Sequence, residues 1–180
     1  MFQNLKKLNN KISKRRRFNR TINFLKKTLP LKSKILDLGV PNNLSKRMIN
    51  EGYYVSNTGG EDFDLNPIIK NSKNYDVVTA FEILEHLVNP FELLKNLKSK
   101  KLFATIPLNL WFCSAYRNMN DIRDQHFHEF EDWQFDWLLD KSGWKIIRKE
   151  KWKSPTIIPG FRFFLRHLTY RYYAIEAIRK

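Results

Sequence analysis

Two kinds of apolar segment alternate along this chain from residue 34 onward, one with the character of strands and one with the spacing of helices. Compact runs rich in aliphatic and aromatic side chains, typical of buried strands, occupy residues 34–39, 53–57, 76–81 and 101–107. Apolar side chains at helical spacing lie between these runs, for example in residues 44–51. Because parallel strands are joined by helical crossovers, this alternation predicts a single α/β domain over residues 34–180.

The later elements are predicted from caps and from alternation. Asn89, followed directly by a proline, is typical of a helix start. Acids at the beginning and a glycine at the end bound a further predicted helix over residues 131–143. Its predicted buried face carries Trp133, Trp137 and Leu138. Alternating runs at residues 144–152 and 172–178 predict two last strands that pair with each other.

Residues 1–29 carry apolar side chains at helical spacing, with lysine and arginine between them. The basic run at residues 14–17 interrupts this pattern, so we predict two helices, the second of which ends at Pro30. Residues 1–33 are therefore predicted to form a basic helical extension in front of a domain of residues 34–180.

The net charge of +15 is distributed unevenly. Residues 1–34 contain 12 basic residues and no acid, and residues 151–180 contain seven basic residues and a single acid, Glu176. The stretch between them is slightly acidic, with 14 basic and 17 acidic residues. Basic termini of this kind favour an anionic partner: a phosphorylated carrier, an anionic membrane surface or a nucleic acid. A solvated basic tail that serves solubility is the alternative interpretation.

The compartment is predicted from cysteine content and hydropathy. The single cysteine, Cys113, allows no internal disulfide and suits a reducing environment. No apolar run has the length of a membrane span, and no signal-peptide core follows the start. We therefore expect a cytoplasmic protein.

Two turns are candidate ligand sites. The strand run at residues 34–39 contains Asp37 and ends at Gly39, and it leads into a predicted turn and helix. Such a strand–turn–helix corner exposes backbone N–H groups, which is typical of a site for a nucleotide-like ligand. The second turn, residues 58–67, combines two glycines with three carboxylates and allows a close backbone approach to a ligand.

Three motifs together resemble the class I S-adenosylmethionine-dependent methyltransferases. They are strand-D-x-G at Asp37, YDVVTAFEILEHLxNP from Tyr75, and HxHEFxxWxFxxLLxxSGW from His126. The resemblance spans about residues 34–152 and is nearest to the group that includes the ubiquinone-biosynthesis O-methyltransferases. It implies a three-layer α/β sandwich whose Rossmann-like sheet has seven mostly parallel strands and an antiparallel last strand. Residues 76–81 would form the fourth strand.

The resemblance also implies S-adenosyl-L-methionine as the cofactor. Asp37 and Gly39 match the family's acid-x-glycine motif, whereas Pro41 and Asn43 stand where the family has two further glycines. A proline removes one N–H donor, and a Cβ at each position narrows the turn.

The remaining cofactor contacts are implied by the same alignment of motifs. The acid that binds the ribose maps to Glu61 or Asp62, and the acid near the adenine amine maps to Asp64. The turn after the buried strand places Phe81 and Glu82 at the cofactor. The cofactor-binding residues that we predict are Asp37, Gly39, Glu61, Asp64, Phe81 and Glu82.

Methyl transfer to a hydroxyl requires a group that removes the proton. His126 and His128 follow the fifth strand of the implied fold and are the candidate general bases. In addition, Glu82-x-x-Glu85-His86 could form a hard-cation site together with His126. Certain ubiquinone-pathway enzymes and the small-RNA 3′-terminal 2′-O-methyltransferases use this pattern for a divalent metal, but relatives without a metal share it. We therefore assign no metal ligand.

The leading hypothesis is a methyltransferase that acts at an oxygen of a small-molecule, lipid-linked or saccharide acceptor. An RNA 2′-O-methyltransferase is the first alternative, because the charge and the glutamate–histidine pattern allow it. A non-catalytic, methyltransferase-like binding module is the second, because Pro41 and Asn43 depart from the glycine motif.

Overall fold

The structure, a computed structural model, describes residues 2–121 and 124–180. Its helices in this part of the chain are α1 (Phe2–Lys26), α2 (Asn43–Asn50), α3 (Pro90–Asn96), α4 (Asp132–Lys141) and α5 (Phe161–Leu168). Its strands are β1 (Lys34–Asp37), β2 (Tyr54–Asn57), β3 (Val77–Phe81), β4 (Lys101–Pro107), β5 (Trp144–Lys153) and β6 (Tyr170–Arg179). Short 3₁₀ helices span Lys70–Asn74 and Leu84–His86. As predicted, Asn89 caps α3 and a proline follows it.

The strands form one sheet in the order β2-β1-β3-β4-β6-β5. Strands β1 to β4 are parallel, and β6 runs antiparallel to both of its neighbours, β4 and β5. The predicted mostly parallel α/β sheet with an antiparallel last strand is therefore confirmed. β1 and β3 are adjacent, with Ile35 opposite Val77.

The prediction of seven strands is wrong, because the sheet described here has six. Residues 76–81 contribute its third strand and not its fourth. The extra strand would have to lie in residues 58–76, which contain two glycines, a proline and many polar side chains without an alternating apolar run. This segment forms only the 3₁₀ helix Lys70–Asn74.

Helices cover both faces of the sheet, which gives the three predicted layers. Alternate strand residues belong to two buried clusters, as the two-residue period of a strand requires. On the side of α1 and α2 lie Ile35, Val77, Phe103 and Ala174. On the side of α3 and α4 lie Leu36, Val78, Leu102, Ala104 and Ile175.

The amino-terminal segment forms one helix, not the two that were predicted. Residues 14–17 lie in the middle of α1, since lysine and arginine are good helix formers and no glycine or proline interrupts Phe2–Lys26. Phe18, Ile22 and Leu25 pack in the buried cluster below α1. The division into an extension of residues 1–33 and a domain of residues 34–180 stays a prediction.

A buried carboxylate attaches the end of α1 to the sheet. Glu176 of β6 is 1% exposed and accepts hydrogen bonds from Thr28 Oγ1 (2.6 Å), Lys101 Nζ (2.9 Å) and Arg148 Nε (2.8 Å). The Arg148 guanidinium also donates to the carbonyl oxygen of Phe24 at 2.7 Å. This Glu176 network joins α1 to three strands of the sheet.

The buried face of α4 differs from the predicted one. Trp133 and Trp137 are 57% and 60% exposed, whereas Phe135 and Leu139 are fully buried and Leu138 is partly buried. The helix begins at Asp132. Phe135 and Leu139 are four residues apart, so they lie on the same face of α4, and this face packs against the sheet.

Within the described residues, no helix combines the length and the apolar character that a membrane span requires.

Candidate functional site

A crevice opens where the carboxyl ends of β1 and β3 lie side by side. In the sheet, β1 has β2 on one side and β3 on the other, so the strand order reverses direction at β1. Ligands of open α/β sheets bind at such a switch point. The crevice holds a cavity of about 220 Å³, which we call the β1–β3 cavity. Its walls include Arg17, Asp37, Asn43, Phe81, Glu82 and Thr105.

Asp37 anchors the floor of the cavity. Its buried carboxylate accepts hydrogen bonds from Thr79 Oγ1 (2.7 Å), Ser45 Oγ (2.9 Å) and Asn57 Nδ2 (3.0 Å). Burial raises the pKa of Asp37, and these three donors oppose the rise. Because both oxygens are bonded to the protein, Asp37 fixes the relative positions of β1, α2, β2 and β3.

The turn after β1 requires glycine. Gly39 has a φ of +100°, and its N–H donates to Thr58 Oγ1 at 2.7 Å. A Cβ at this position would lie 3.2 Å from Ile83 Cδ1. The side chain of Asn42 caps the helix that follows by accepting from the N–H groups of Leu44 and Ser45. The turn therefore has one tightly held conformation.

Glu82 occupies a strained position at the end of β3. Its φ of +57° lies in the left-handed region, which is uncommon for residues other than glycine. Within the described chain, its buried Oε1 has no hydrogen-bond partner, and the same holds for the buried Oγ1 of Thr105. Phe81, partly buried against the α1-side cluster, also lines the cavity. Two unpartnered oxygens thus belong to residues that line one cavity.

Helix α1 covers the crevice. Arg17 Nη1 donates to Glu82 Oε2 at 2.9 Å, and its guanidinium lies 5.6 Å from the ring centroid of Tyr172. Burial alone would lower the pKa of Arg17, but the charges of Glu82, Tyr172 and Glu85 and the hydrogen bond to Glu82 together outweigh burial, so that this pKa is raised. Lys14, Phe18 and Thr21 of the same helix complete this wall.

Glu61 and Asp64, the two acids of the second turn that are predicted to bind the cofactor, are not among the residues that line the β1–β3 cavity. Glu61 is exposed and lines a neighbouring hollow of about 320 Å³ beside the end of β2. Asp64 accepts the N–H groups of Val88 (2.9 Å) and Asn89 (2.8 Å), one on each carboxylate oxygen. Asp64 thus fixes the start of α3.

A second group of side chains comes from the 3₁₀ helix Leu84–His86, which follows Glu82, and from the loop around His126. Ligand atoms of Glu85, His86 and His126 all lie within 4.8 Å of one another. The Glu85 carboxylate is 1% exposed, and its Oε2 has no partner among the described residues. Burial and the nearby Glu82 charge raise the pKa of Glu85 well above its usual value.

Outer hydrogen bonds orient both histidines of this group. His86 Nδ1 lies 2.9 Å from the carbonyl oxygen of Gln125, and His126 Nδ1 lies 2.8 Å from Glu129 Oε1. Burial lowers the pKa of His126, although Glu129 opposes the shift. When Nδ1–H of an imidazole is held by an acceptor, Nε2 is the nitrogen that can accept a proton or bind a metal ion.

His128 has different surroundings. Its ring stacks on Phe130 with centroids 5.1 Å apart, and its Nε2 is 3.1 Å from the carbonyl oxygen of Val88. The loop that carries both histidines is held by the N–H groups of Phe127 and His128, which donate to the carbonyl oxygen of Glu85. Of the two predicted bases, only His126 belongs to the group around Glu85.

Comparisons with known proteins identify the fold. No protein-family model matches the chain, and no curated protein sequence matches it. Among solved structures it is similar to the 1,6-didemethyltoxoflavin-N1-methyltransferase of Burkholderia thailandensis with bound S-adenosylhomocysteine. The TM-score is 0.66 at 11% identity, over 91% of this chain and 78% of that one.

Two further neighbours have the same architecture. One is the magnesium protoporphyrin IX methyltransferase of Synechocystis with bound S-adenosylhomocysteine (TM-score 0.58, 14% identity, 96% of this chain and 85% of that one). The other is a SAM-dependent methyltransferase of Methanosarcina mazei (TM-score 0.61, 14% identity, 87% and 96%). The described chain therefore has the Rossmann-like α/β fold of the SAM-dependent methyltransferases.

Proposed function

We propose that this protein is an S-adenosyl-L-methionine-dependent methyltransferase that acts at an oxygen of a small-molecule, lipid-linked or saccharide acceptor. The observation that carries the proposal concerns the β1–β3 cavity. Two of the residues that line it, Glu82 and Thr105, each have a buried oxygen without a partner in the described chain. Such atoms are costly to bury, so their position at a switch point indicates a polar ligand. The fold of the neighbours and the YDVVTAFEILEHLxNP motif support the same assignment.

The residues at the crevice fit this cofactor. When bound, S-adenosyl-L-methionine supplies an activated methyl group on a positively charged sulfonium. Glu82 and the ring of Phe81 both favour a cation in the cavity, and Gly39 keeps the turn open to the ligand. We assign the ribose hydroxyls to Glu61, whereas Asp64 holds the neighbouring loop.

The described cavity corresponds to a closed state. Pockets that bind small molecules usually have about 300–1,000 Å³, which is more than the 220 Å³ between α1 and the sheet. In this proposal, Arg17 moves away from Glu82 when the ligand enters, and the ligand's positive group takes its place at the carboxylate.

We assign the proton transfer to His126. Its imidazole is held by Glu129 and has a lowered pKa, so it is neutral and able to accept the acceptor hydroxyl's proton on Nε2. His128, whose Nε2 is bonded to a backbone carbonyl, has the weaker geometry for this role.

The same group fits a divalent cation. Glu85, His86 and His126 would hold it, and Gln125 and Glu129 would orient the two imidazoles. Such a cation would lower the pKa of a bound hydroxyl. This observation favours a second candidate function, an RNA 2′-O-methyltransferase, which would bind RNA with a steep salt dependence.

Calorimetry with S-adenosylmethionine and S-adenosylhomocysteine tests the proposal. We expect both to bind the parent protein, Glu82→Gln to weaken the methyl donor more than the product, and the control Glu92→Gln on α3 to change neither. Failure of both ligands to bind would leave a non-catalytic binding module. Titration with Mn²⁺, followed by thermal unfolding, tests the cation: stabilisation of the parent that Glu85→Gln abolishes supports it.

A further inference from the structure

Four arginines from three separate segments surround a second cavity, which we call the arginine cavity. Arg117 comes from the loop after β4, Arg162 and Arg166 from α5, and Arg171 from the start of β6. The cavity has a volume of about 350 Å³. Arg162 and Arg166 are four residues apart and so occupy the same face of α5. The fold thus brings Arg117 beside three arginines of the basic segment at residues 151–180.

Four arginines and one carboxylate, that of Glu129, line this cavity, so its described lining carries an excess of positive charge. No described carboxylate forms an ion pair with any of the four arginines, whereas other arginines, such as Arg17 and Arg148, do pair with glutamates. Burial lowers the pKa of Arg166, and the neighbouring Arg171 and Arg162 lower it further. Positive groups around one cavity repel one another, and a bound anion would relieve that repulsion.

The arginine cavity adjoins the group around His126. Glu129 and Tyr116 line the cavity, and both contact His126. Glu129 Oε1 lies 2.8 Å from His126 Nδ1, and the rings of Tyr116 and His126 lie 5.0 Å apart. Glu129 also accepts the N–H of Tyr116 at 2.9 Å. A ligand in the cavity would therefore be one side chain away from the proposed base.

We propose that the arginine cavity binds the phosphate or pyrophosphate group of the methyl acceptor and so places a neighbouring hydroxyl at His126. This inference rests on the proposed methyltransferase function. Guanidinium groups bind phosphate oxygens through paired N–H donors. Several unpaired arginines match a group with more than one negative charge better than they match a single carboxylate.

The phosphate has two sources, a soluble phosphoester and a lipid headgroup. Large apolar side chains of α5 extend into solvent beside the cavity. They are Phe161, Phe164 and Leu168, which are 74%, 68% and 72% exposed. An amphipathic helix with arginine on one face and phenylalanine and leucine on the other is typical of a lipid interface, which makes the lipid source directly testable.

Calorimetry with inorganic pyrophosphate, at constant ionic strength and without cofactor, tests the site. We expect saturable binding to the parent and at least about tenfold weaker binding to Arg162→Gln/Arg166→Gln, since paired hydrogen bonds between guanidinium and phosphate are among the strongest in proteins. Arg166→Lys, which keeps the charge and loses the paired donors, should lie between them. The control Lys73→Gln/Lys98→Gln removes the same charge from exposed positions and should bind as the parent does.

No binding to the parent, or an equal loss in the arginine and lysine variants, would overturn the inference. S-adenosylhomocysteine binding to the same proteins separates it from the proposed function: pyrophosphate binding without cofactor binding would refute the methyltransferase and leave the anion site. Retention on phosphatidylglycerol but not phosphatidylcholine vesicles, released by pyrophosphate, would identify a lipid headgroup. Pyrophosphate binding without vesicle binding would identify a soluble phosphoester. RNA binding through these arginines without any pyrophosphate binding would overturn the inference.

Discussion

Thr79→Val and Thr105→Val form a matched pair that tests the hydrogen bonds below the β1–β3 cavity. Both threonines are buried and lie on adjacent central strands. The Thr79 hydroxyl donates to Asp37 at 2.7 Å, whereas the Thr105 hydroxyl has no partner in the described chain. Each substitution replaces the hydroxyl with a methyl group. The difference between the two variants in free energy of unfolding therefore measures the contribution of the hydrogen bond from Thr79 to Asp37.

The two expected effects differ in size and in sign. A hydrogen bond to a charged group is worth about 1.5–3 kcal/mol, and Thr79→Val should lower the free energy of unfolding by about that amount. At about 2–4 °C per kcal/mol, the melting temperature should fall measurably. Thr105→Val removes a buried hydroxyl without a partner, so it should leave stability unchanged or raise it. The same variant should weaken cofactor binding if the hydroxyl contacts the ligand.

The cost of Thr79→Val should depend on pH through Asp37. Burial raises the pKa of Asp37 in the folded state. The stability that this shift contributes is present below the usual pKa of aspartate and is lost as pH rises through the folded-state pKa. Loss of the Thr79 donor raises this pKa further, so the gap between variant and parent should widen with rising pH and narrow in acid.

Urea unfolding followed by tryptophan fluorescence, from about pH 4 to about pH 8, measures both effects. Equal losses in the two variants would refute the assignment of the hydrogen bond. A cost of Thr79→Val that is the same in acid and at neutral pH would refute the charged state of Asp37.

Three further predictions concern the cavity and its neighbours. Gly39→Val should abolish S-adenosylhomocysteine binding, because its φ is +100° and a Cβ would lie 3.2 Å from Ile83; unchanged affinity in calorimetry would place the ligand elsewhere. With a chelator present, Glu85→Gln should stabilise the protein at neutral pH but not in acid. The folded-state pKa of Glu85 is raised, so its ionised carboxylate lowers the free energy of unfolding as pH rises. Equal changes in melting temperature at both pH values would contradict this. Arg17→Met should cost about 1–3 kcal/mol by leaving Glu82 unpaired, and adding Glu82→Gln should restore most of it; additive losses in urea unfolding would argue against the pair.

Elements with a local signal could be predicted from the sequence. The strand runs, the cap at Asn89 and the two last strands each have a signal within their own residues, and the structure contains them. The seventh strand came from the family resemblance, and residues 58–76 have no pattern that would form it. The face of α4 was assigned from the two tryptophans, but Phe135 has the spacing that faces the sheet, and large aromatic side chains also occur on surfaces.

The candidate site was predictable where it lies at strand ends. Asp37 is the last residue of β1 and Glu82 follows the last residue of the adjacent parallel strand β3, so both line one cavity, as the strand pattern suggested. The contribution of Arg17 had no local signal, because it depends on how a helix far away in sequence packs over the crevice. An interpretation of residues 2–26 as a single helix would have placed Arg17 and Thr21 on one face beside the apolar positions.

The Glu176 network also selects one packing of α1 from several. The helix has apolar side chains on successive turns, so apolar contact alone would tolerate a slide along the sheet by one turn, about 5.4 Å. Only one of these alignments brings Phe24 and Thr28 to the buried charges around Glu176. The others would lose the hydrogen bond from Thr28 to Glu176 and the one from the Arg148 guanidinium to Phe24. The ion pairs of Glu176 with Lys101 and Arg148 lie within the sheet and would remain, but each lost hydrogen bond to a charged group costs about 1.5–3 kcal/mol. Since the same slide would carry Arg17 away from Glu82, an ion-pair network at one end of α1 determines which side chain closes the cavity at the other.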